Sequence, residues 1–343
     1  MDALLLKEKS GNSSEKLSSR WLYIASAVIG GTYGIILRVM AGLHYDLLRV
    51  MTVGFIFFMP FALGCIAVYI AEMKRAQRLW TWIWLPWLSL LSALGGIAVT
   101  LLEGTICIAM FLPIGMVLAS IGGLVGGLAA RFVSSRKARG FTMACVLVLP
   151  FITSPWEKQV FYEWESRDVE NVIDIQAPSE VVWRNIERVP AIRADELPPS
   201  WAHAIGLPDP IEATLSHEGV GGVRNASFAG NLVFIETIDV WEPGQRLAFT
   251  IAADTDKIPP TTLDEHVRIG GPYFDVLRGE YRLEVLSKNV TRLHLSSQHR
   301  LSTDFNWYAH LWTDAVMSDL QKRILLVVQH RCESKQADQT KWF

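Results

Sequence analysis

Two kinds of hydrophobic patterning divide this chain. Between Trp21 and Pro155 apolar residues come in long runs, whereas after Glu157 they alternate with polar ones or recur at three- and four-residue steps. A helix needs about twenty apolar residues to cross a hydrocarbon core of roughly 30 Å. Four stretches reach that length: Trp21 to Ala41, Val50 to Ala71, Trp80 to Leu102 and Thr105 to Ala130. A fifth, Gly140 to Pro155, would rise only about 24 Å, and it counts as a span because a bilayer can thin locally and Trp156 supplies an interfacial anchor. Residues 21–155 are therefore expected to form an all-α transmembrane bundle of about five helices, after a disordered tail over 1–20 that reads as no cleavable signal.

Lys and Arg in short loops set the orientation of such a bundle. Lys7, Lys9, Lys16 and Arg20 precede the first run, Lys74, Arg75 and Arg78 follow the second, and Arg131, Arg136, Lys137 and Arg139 precede the fifth. The intervening connections hold only Arg49 and the acidic Glu103. The tail is thus expected in the cytoplasm, and an odd number of spans would place the polar half outside, on a bacterial inner membrane or a plasma membrane. Arg38 and Glu103 sit near span ends, which disfavours a coupled transporter. Ala119, Gly123 and Gly127 put small residues on one helical face, suited to packing within the bundle or to a homo-oligomer.

The polar half carries a different signal. After a connector over 156–168, Val169 to Ala177 alternates as a half-buried strand does, and Pro178 and Ser179 open a short helix, Glu180 to Glu187. Val189 to Pro210, crowded with Pro and Asp, is expected to be a long loop with a helical turn near Trp201, and is a candidate lid. Six further strands follow: Ile211 to Glu218, Gly222 to Phe228, Asn231 to Trp241, Arg246 to Ala253, Tyr273 to Leu286 and Thr291 to Ser302. The last element is a long helix, Trp307 to Cys332, whose apolar stripe runs through Leu311, Trp312, Ala315, Val316, Leu320, Ile324, Leu325 and Val328. The expected architecture is α+β, a helix laid across a curved antiparallel sheet over 169–333, with a disordered tail over 334–343.

Composition narrows the chemistry. A net charge of -2 and the absence of a basic stripe interleaved with aromatics argue against nucleic acid as a partner. Cys65, Cys107 and Cys145 lie in apolar runs, leaving Cys332 alone in the polar half, so that half has no internal disulfide. Neither a CxxC pair nor an HExxH helix is present, and no metal or other cofactor is expected. The N-x-S/T triplets at Asn225 and Asn289 fall in or beside strands and carry little weight.

VIDIQAPSEVVW (Val172 to Trp183), ETIDVWEPGQRLAF (Glu236 to Phe249), GEYRLEVL (Gly279 to Leu286) and TRLHLSSQHRLST (Thr291 to Thr303), followed by the long helix, resemble the SRPBCC, or START-like helix-grip, superfamily. That group includes polyketide cyclase/dehydrase and lipid-transport proteins. The resemblance covers the last 165 residues or so (about half the chain). It implies a cavity for a hydrophobic ligand and transfers no catalytic residue.

Strand parity indicates which side chains face such a cavity. Leu232, Phe234, Ile238 and Val240 share a face with Glu236, and Leu293, Leu295 and Leu301 share one with His299. Glu236 and His299 are the acid and base if the domain is a cyclase or dehydrase acting on a polyketide-like or aromatic substrate; the plainer alternative is a buried, self-satisfied polar pair. Phe234, Phe249, Tyr281, Trp307, Tyr308 and Trp312 complete the candidate ligand contacts, with plain core as the alternative. His294 and His310 are expected at solvent or the helix edge, and Arg300 and Asp304 at strand and helix ends. The leading expectation is non-covalent handling of a lipid or other hydrophobic small molecule beside the membrane lipid bilayer; the others are the enzyme and a structural or sensory scaffold with a filled core.

Overall fold

A computed structural model describes residues 2–43, 52, 54–74, 76–133, 135–157, 164–254 and 269–340. The chain divides into two units, an N-terminal helical one and a C-terminal α+β one, with the main boundary after Phe161. The N-terminal unit holds α1 (Asp2–Leu43), a π-helical turn (Gly54–Phe58) leading into α2 (Met59–Lys74), α3 (Thr81–Val99), α4 (Thr105–Phe132) and α5 (Arg136–Glu157). The polar stretch expected to be a disordered tail is helical from Asp2 onward; Lys7, Glu8, Lys9, Glu15 and Lys16 are all residues that favour helix.

Four helices among the described residues are long and apolar enough to cross a membrane, Arg20–Ala41, Gly54–Lys74, Thr81–Val99 and Thr105–Phe132. This corrects the expected five. Helix α5 opens on Arg136, Lys137 and Arg139 and closes on Ser154, Pro155, Trp156 and Glu157, leaving a mostly apolar stretch, Phe141–Ile152, that rises about 18 Å. Counting spans therefore no longer fixes the side on which the C-terminal half lies.

Close backbone approach organises the bundle. A Cβ on Gly122 of α4 would stand 1.9 Å from the carbonyl oxygen of Phe61, and one on Gly126 would stand 2.4 Å from that of Cys65. Gly122 and Gly126 thus let α4 meet the backbone of α2, while Gly123 and Gly127, on the expected small-residue face, make room for Trp82 of α3, where a Cβ would stand 2.2 Å from its carbonyl oxygen and 2.4 Å from its ring. Arg38 pairs with Glu103 and donates to the Leu102 carbonyl at 2.6 Å. Glu72, a buried carboxylate that the sequence reading passed over, accepts from Arg131 Nε at 2.7 Å and Trp82 Nε1 at 3.1 Å.

The C-terminal unit contains β1 (Glu165–Ile175), α6 (Ser179–Ile186), a 3-10 turn (Ala194–Glu196), α7 (Trp201–Ala204), β2 (Pro210–Leu215), β3 (Val223–Phe228), β4 (Leu232–Glu242), β5 (Arg246–Asp254), β6 (Phe274–Ser287), β7 (Val290–Leu301) and α8 (Asn306–Thr340). All seven strands form one antiparallel sheet in the order β1-β7-β6-β5-β4-β3-β2. Strand β1 begins at Glu165, inside the expected connector, because Glu165 to Asp168 continue the ladder with Leu301 to Gln298. Helix α8 continues to Thr340, through residues expected in a disordered tail.

The sheet closes around α8 from both edges. On one flank Arg167, Asn171, Asp174 and Gln176 of β1 and its end bond to Asp314, Gln321, Gln329 and Glu333 in the same order. Nine strand steps rise about 30 Å and nineteen helical steps about 28 Å, so helix and edge strand run side by side and parallel. On the other flank, Ser200 and Asp209, before β2, meet Asp319 and Arg323 of α8. Two apolar clusters fill the space between. One gathers Ile175, Trp183, Ile238, Leu247, Phe249, Tyr281, Leu293 and Leu325; the other gathers Phe228, Leu232, Phe234, Val276 and Met317.

The segment read as a candidate lid is fastened to α8. Arg331 donates to Glu196 at 2.9 Å and to the carbonyls of Pro190 and Ala191, both at 3.0 Å, and Val189 bridges to Ala213. Hydrogen bonding by Arg331 is the main cause that lowers the Glu196 pKa from 4.5 to about 2. A depressed folded-state pKa stabilises the fold above the unfolded value and ceases to do so as pH falls through the folded one. The melting-temperature advantage of the native protein over Arg331→Gln should be full above pH 4.5 and shrink toward pH 2. A pH-independent difference would refute this clamp.

Candidate functional site

The hairpin of β3 and β4 pairs Phe228 with Leu232, and the register that follows sets Arg224 opposite Glu236. Glu236 alternates inward with Phe234 and Ile238, so Arg224 also enters the interior; they remain only 4% and 6% exposed and form an ion pair. Beyond Ile238 a bulge shifts the register; Val240, expected on the apolar face, is half-buried, and Trp241 packs against the ring of Trp183 at 5.1 Å. The pair lies between the two apolar clusters, with Ile251 packed against both.

Aromatic rings surround the guanidinium. Its Cζ lies 5.5 Å from the Phe249 centroid and 5.9 Å from that of Tyr281, within cation–π range, and the Tyr281 hydroxyl engages it as well. Gly279 makes room for this arrangement, since a Cβ there would meet the Phe249 ring at 2.6 Å. Arg224 is held in its charged form by Glu236 against the opposing effect of burial. For Glu236, burial dominates and pushes the carboxyl above its ordinary range, opposed by Arg224. One donor is left over: among the described residues Arg224 Nε is buried without a hydrogen-bond partner.

His299 is fully buried elsewhere on the inner face. Its Nε2 lies 3.2 Å from Thr313 Oγ1 and 3.5 Å from Asp314 Oδ1, the Phe274 ring lies tilted against it at 5.8 Å, and Nδ1 has no partner among the described residues. Burial lowers its pKa, against the pull of Asp314, and favours the neutral imidazole. Glu236 and His299 share no hydrogen bond; each is engaged with other groups.

The other expected contacts separate. Phe234, Phe249 and Tyr281 are buried, whereas Trp307 is 63% exposed; Tyr308 is half-buried against it, and Trp312 is half-buried against Trp201. The first half of α8 is rotated from its hydropathy pattern. Leu311 and Ala315 face outward, and Ala309, His310, Met317 and Gln321 are buried. His310, expected at solvent, sits 2.8 Å from Glu165. Arg224 escaped the sequence reading because an arginine on a short alternating strand resembles a solvent-facing residue; extending the hairpin register from its turn would have found it. Among the described residues no three His, Cys, Asp or Glu side chains gather as metal ligands.

No family model and no curated protein matches this chain. Solved structures similar to its C-terminal half include the ZhuI aromatase/cyclase from Streptomyces sp. R1128, with 17% identity, 49% of this chain and 94% of that one covered, and a TM-score of 0.30. A START superfamily protein from Mycobacterium smegmatis matches at 9% identity over 49% and 97% of the two chains, with a TM-score of 0.32. A truncated norcoclaurine synthase from Thalictrum flavum matches at 9% identity over 50% and 96%, with a TM-score of 0.31. At these scores the likenesses carry no argument about chemistry.

The buried pair has a measurable signature. Arg224→Met leaves Glu236 buried without its cation, which should destabilise the C-terminal unit by about 3–5 kcal/mol. Arg224→Met with Glu236→Leu should recover most of that loss. Thermal unfolding of the detergent-solubilised variants tests this, and a double variant as unstable as the single one would exclude charge burial as the cause.

Proposed function

We propose that the C-terminal unit is a non-covalent receptor for an apolar small molecule, a lipid or lipid-like metabolite carrying one oxygen function, and that the N-terminal helices hold it in a membrane. The observation that supports this is the unmet donor of Arg224. A buried donor without a partner costs roughly 1–3 kcal/mol, and a ligand oxygen at Nε would remove that cost while Phe249, Tyr281, Phe234 and Ile238 bury its hydrocarbon. The ion pair binds a neutral oxygen without adding net charge to the interior. Acid–base chemistry by Glu236 and His299 gains no support from their separate partners.

Four long apolar helices support the membrane reading, and α5 supports an extracytoplasmic position for the C-terminal unit. Although short in apolar length, α5 packs its middle against the middle of the bundle: Val146 meets Ala62, Cys65 and Ile66 of α2, and the Leu147 carbonyl accepts from Tyr33 of α1 at 2.9 Å. The basic start of α5 belongs with the other basic loops in the cytoplasm.

Native mass spectrometry of the full chain should detect one class of apolar, oxygen-bearing molecule at near-equal stoichiometry, reduced at least tenfold in Arg224→Met with Glu236→Leu; protein repeatedly free of small molecules would overturn the reading. For placement, Lys288→Cys in a chain otherwise free of cysteine should react with a membrane-impermeant maleimide in intact cells. Labelling only after permeabilisation would put the unit in the cytoplasm.

A further inference from the structure

One end of the C-terminal unit concentrates its exposed aromatic side chains. Glu165, the first residue of β1, pairs with Leu301, the last of β7, and accepts from Asn306 Nδ2 at 3.3 Å. The starts of β1 and α8 therefore share one end. There Trp164 is 43% exposed, Trp307 63% and Leu311 65%, and Trp201, beside Trp312, is 41% exposed. These three tryptophans are the exposed large aromatics among the described residues of this unit; toward the opposite end the exposed apolar residues are aliphatic, Val220, Val285 and Leu286. Trp307 and Leu311 stand one turn apart on the outward face of α8, as residues four apart do.

The chain enters the C-terminal unit at the same end. Helix α5 ends at Glu157 and β1 begins at Glu165, and eight chain steps reach at most about 28 Å. An exposed apolar face is unfavourable in water, and tryptophan, with an apolar body and one N–H donor, suits the headgroup zone of a bilayer. The Trp164 ring is held at this end by Arg300, whose guanidinium lies 4.2 Å over it and is itself paired with Asp275 at 3.0 Å.

We propose that this end, through Trp164, Trp201, Trp307 and Leu311, rests in the interfacial layer of a phospholipid bilayer. The proposal depends on the membrane reading above and deepens it, because a lipid-like ligand would then exchange at the surface from which it partitions. The test uses the full chain, free of native cysteine, reconstituted in phosphatidylcholine–phosphatidylglycerol vesicles, with nitroxide placed singly at Trp307→Cys, Leu311→Cys, Lys288→Cys and Leu124→Cys. Collision with oxygen should exceed collision with a water-soluble nickel complex at Trp307→Cys and Leu311→Cys, approaching the pattern of Leu124→Cys in α4, while Lys288→Cys at the far turn shows the reverse. Nickel-dominated collisions at Trp307→Cys and Leu311→Cys, with lipid-like behaviour at Leu124→Cys, would overturn the proposal alone. Water-like behaviour at Leu124→Cys as well would overturn the membrane reading with it. Inaccessibility of Trp307→Cys and Leu311→Cys to both reagents would assign the face to protein, a second copy included, and overturn lipid contact.

Discussion

Helix α8 is the element on which the C-terminal unit depends, because it is bonded to both margins of one sheet. A seven-stranded sheet left open would expose an apolar face and two unpaired edges. Here the edge at β1 follows the helix through Asp314, Gln321, Gln329 and Glu333, and the segment before β2 reaches it through Asp319 and Arg323. These polar seams on two sides set the curl of the sheet, and the curl defines the interior in which Arg224 and Glu236 are held. Most of the apolar burial, and hence most of the driving force, lies between the seams.

The interior is unusual in placing charge between two apolar clusters. Removing two ionised groups from water is costly, and replacing such pairs by hydrocarbon is often neutral or stabilising. The Arg224–Glu236 pair therefore adds little to stability, and what it fixes is the position of a guanidinium beside two aromatic rings. The N-terminal unit puts ion pairs to a different use. Glu72 with Arg131, and Arg38 with Glu103, tie helices together near their ends, where long side chains find polar partners.

Patterning that is local was legible in the sequence. Long apolar runs located α2, α3 and α4, and period-two alternation located the strands after β1, because each reflects one-dimensional burial. Helix α5 was counted as a span from its sequence, yet its flanking charges leave too short an apolar run to join the other four, and its packing against α2 has no trace in hydropathy. The rotation of α8 was hidden because its first half buries His310 and Gln321 and exposes Trp307 and Leu311, the inverse of what hydrophobicity suggests. Of the expected contacts, parity placed Phe234 and Glu236 on an inward face, and Phe249 and Tyr281, singled out as aromatics, are buried beside them. Arg224 required cross-strand register, which lies between segments and not within one. The bulge after Ile238 likewise shifts the register, leaving Val240 half-buried and Trp241 packed against Trp183.

Gly279 has one further consequence. Phe249 rests on bare backbone there, so its ring is bounded on one side by a flat surface and not by an interlocking side chain. Any residue larger than glycine at this position would push the ring away from the backbone and from the guanidinium it faces, so one missing side chain on β6 fixes the depth at which the charge on β3 is covered.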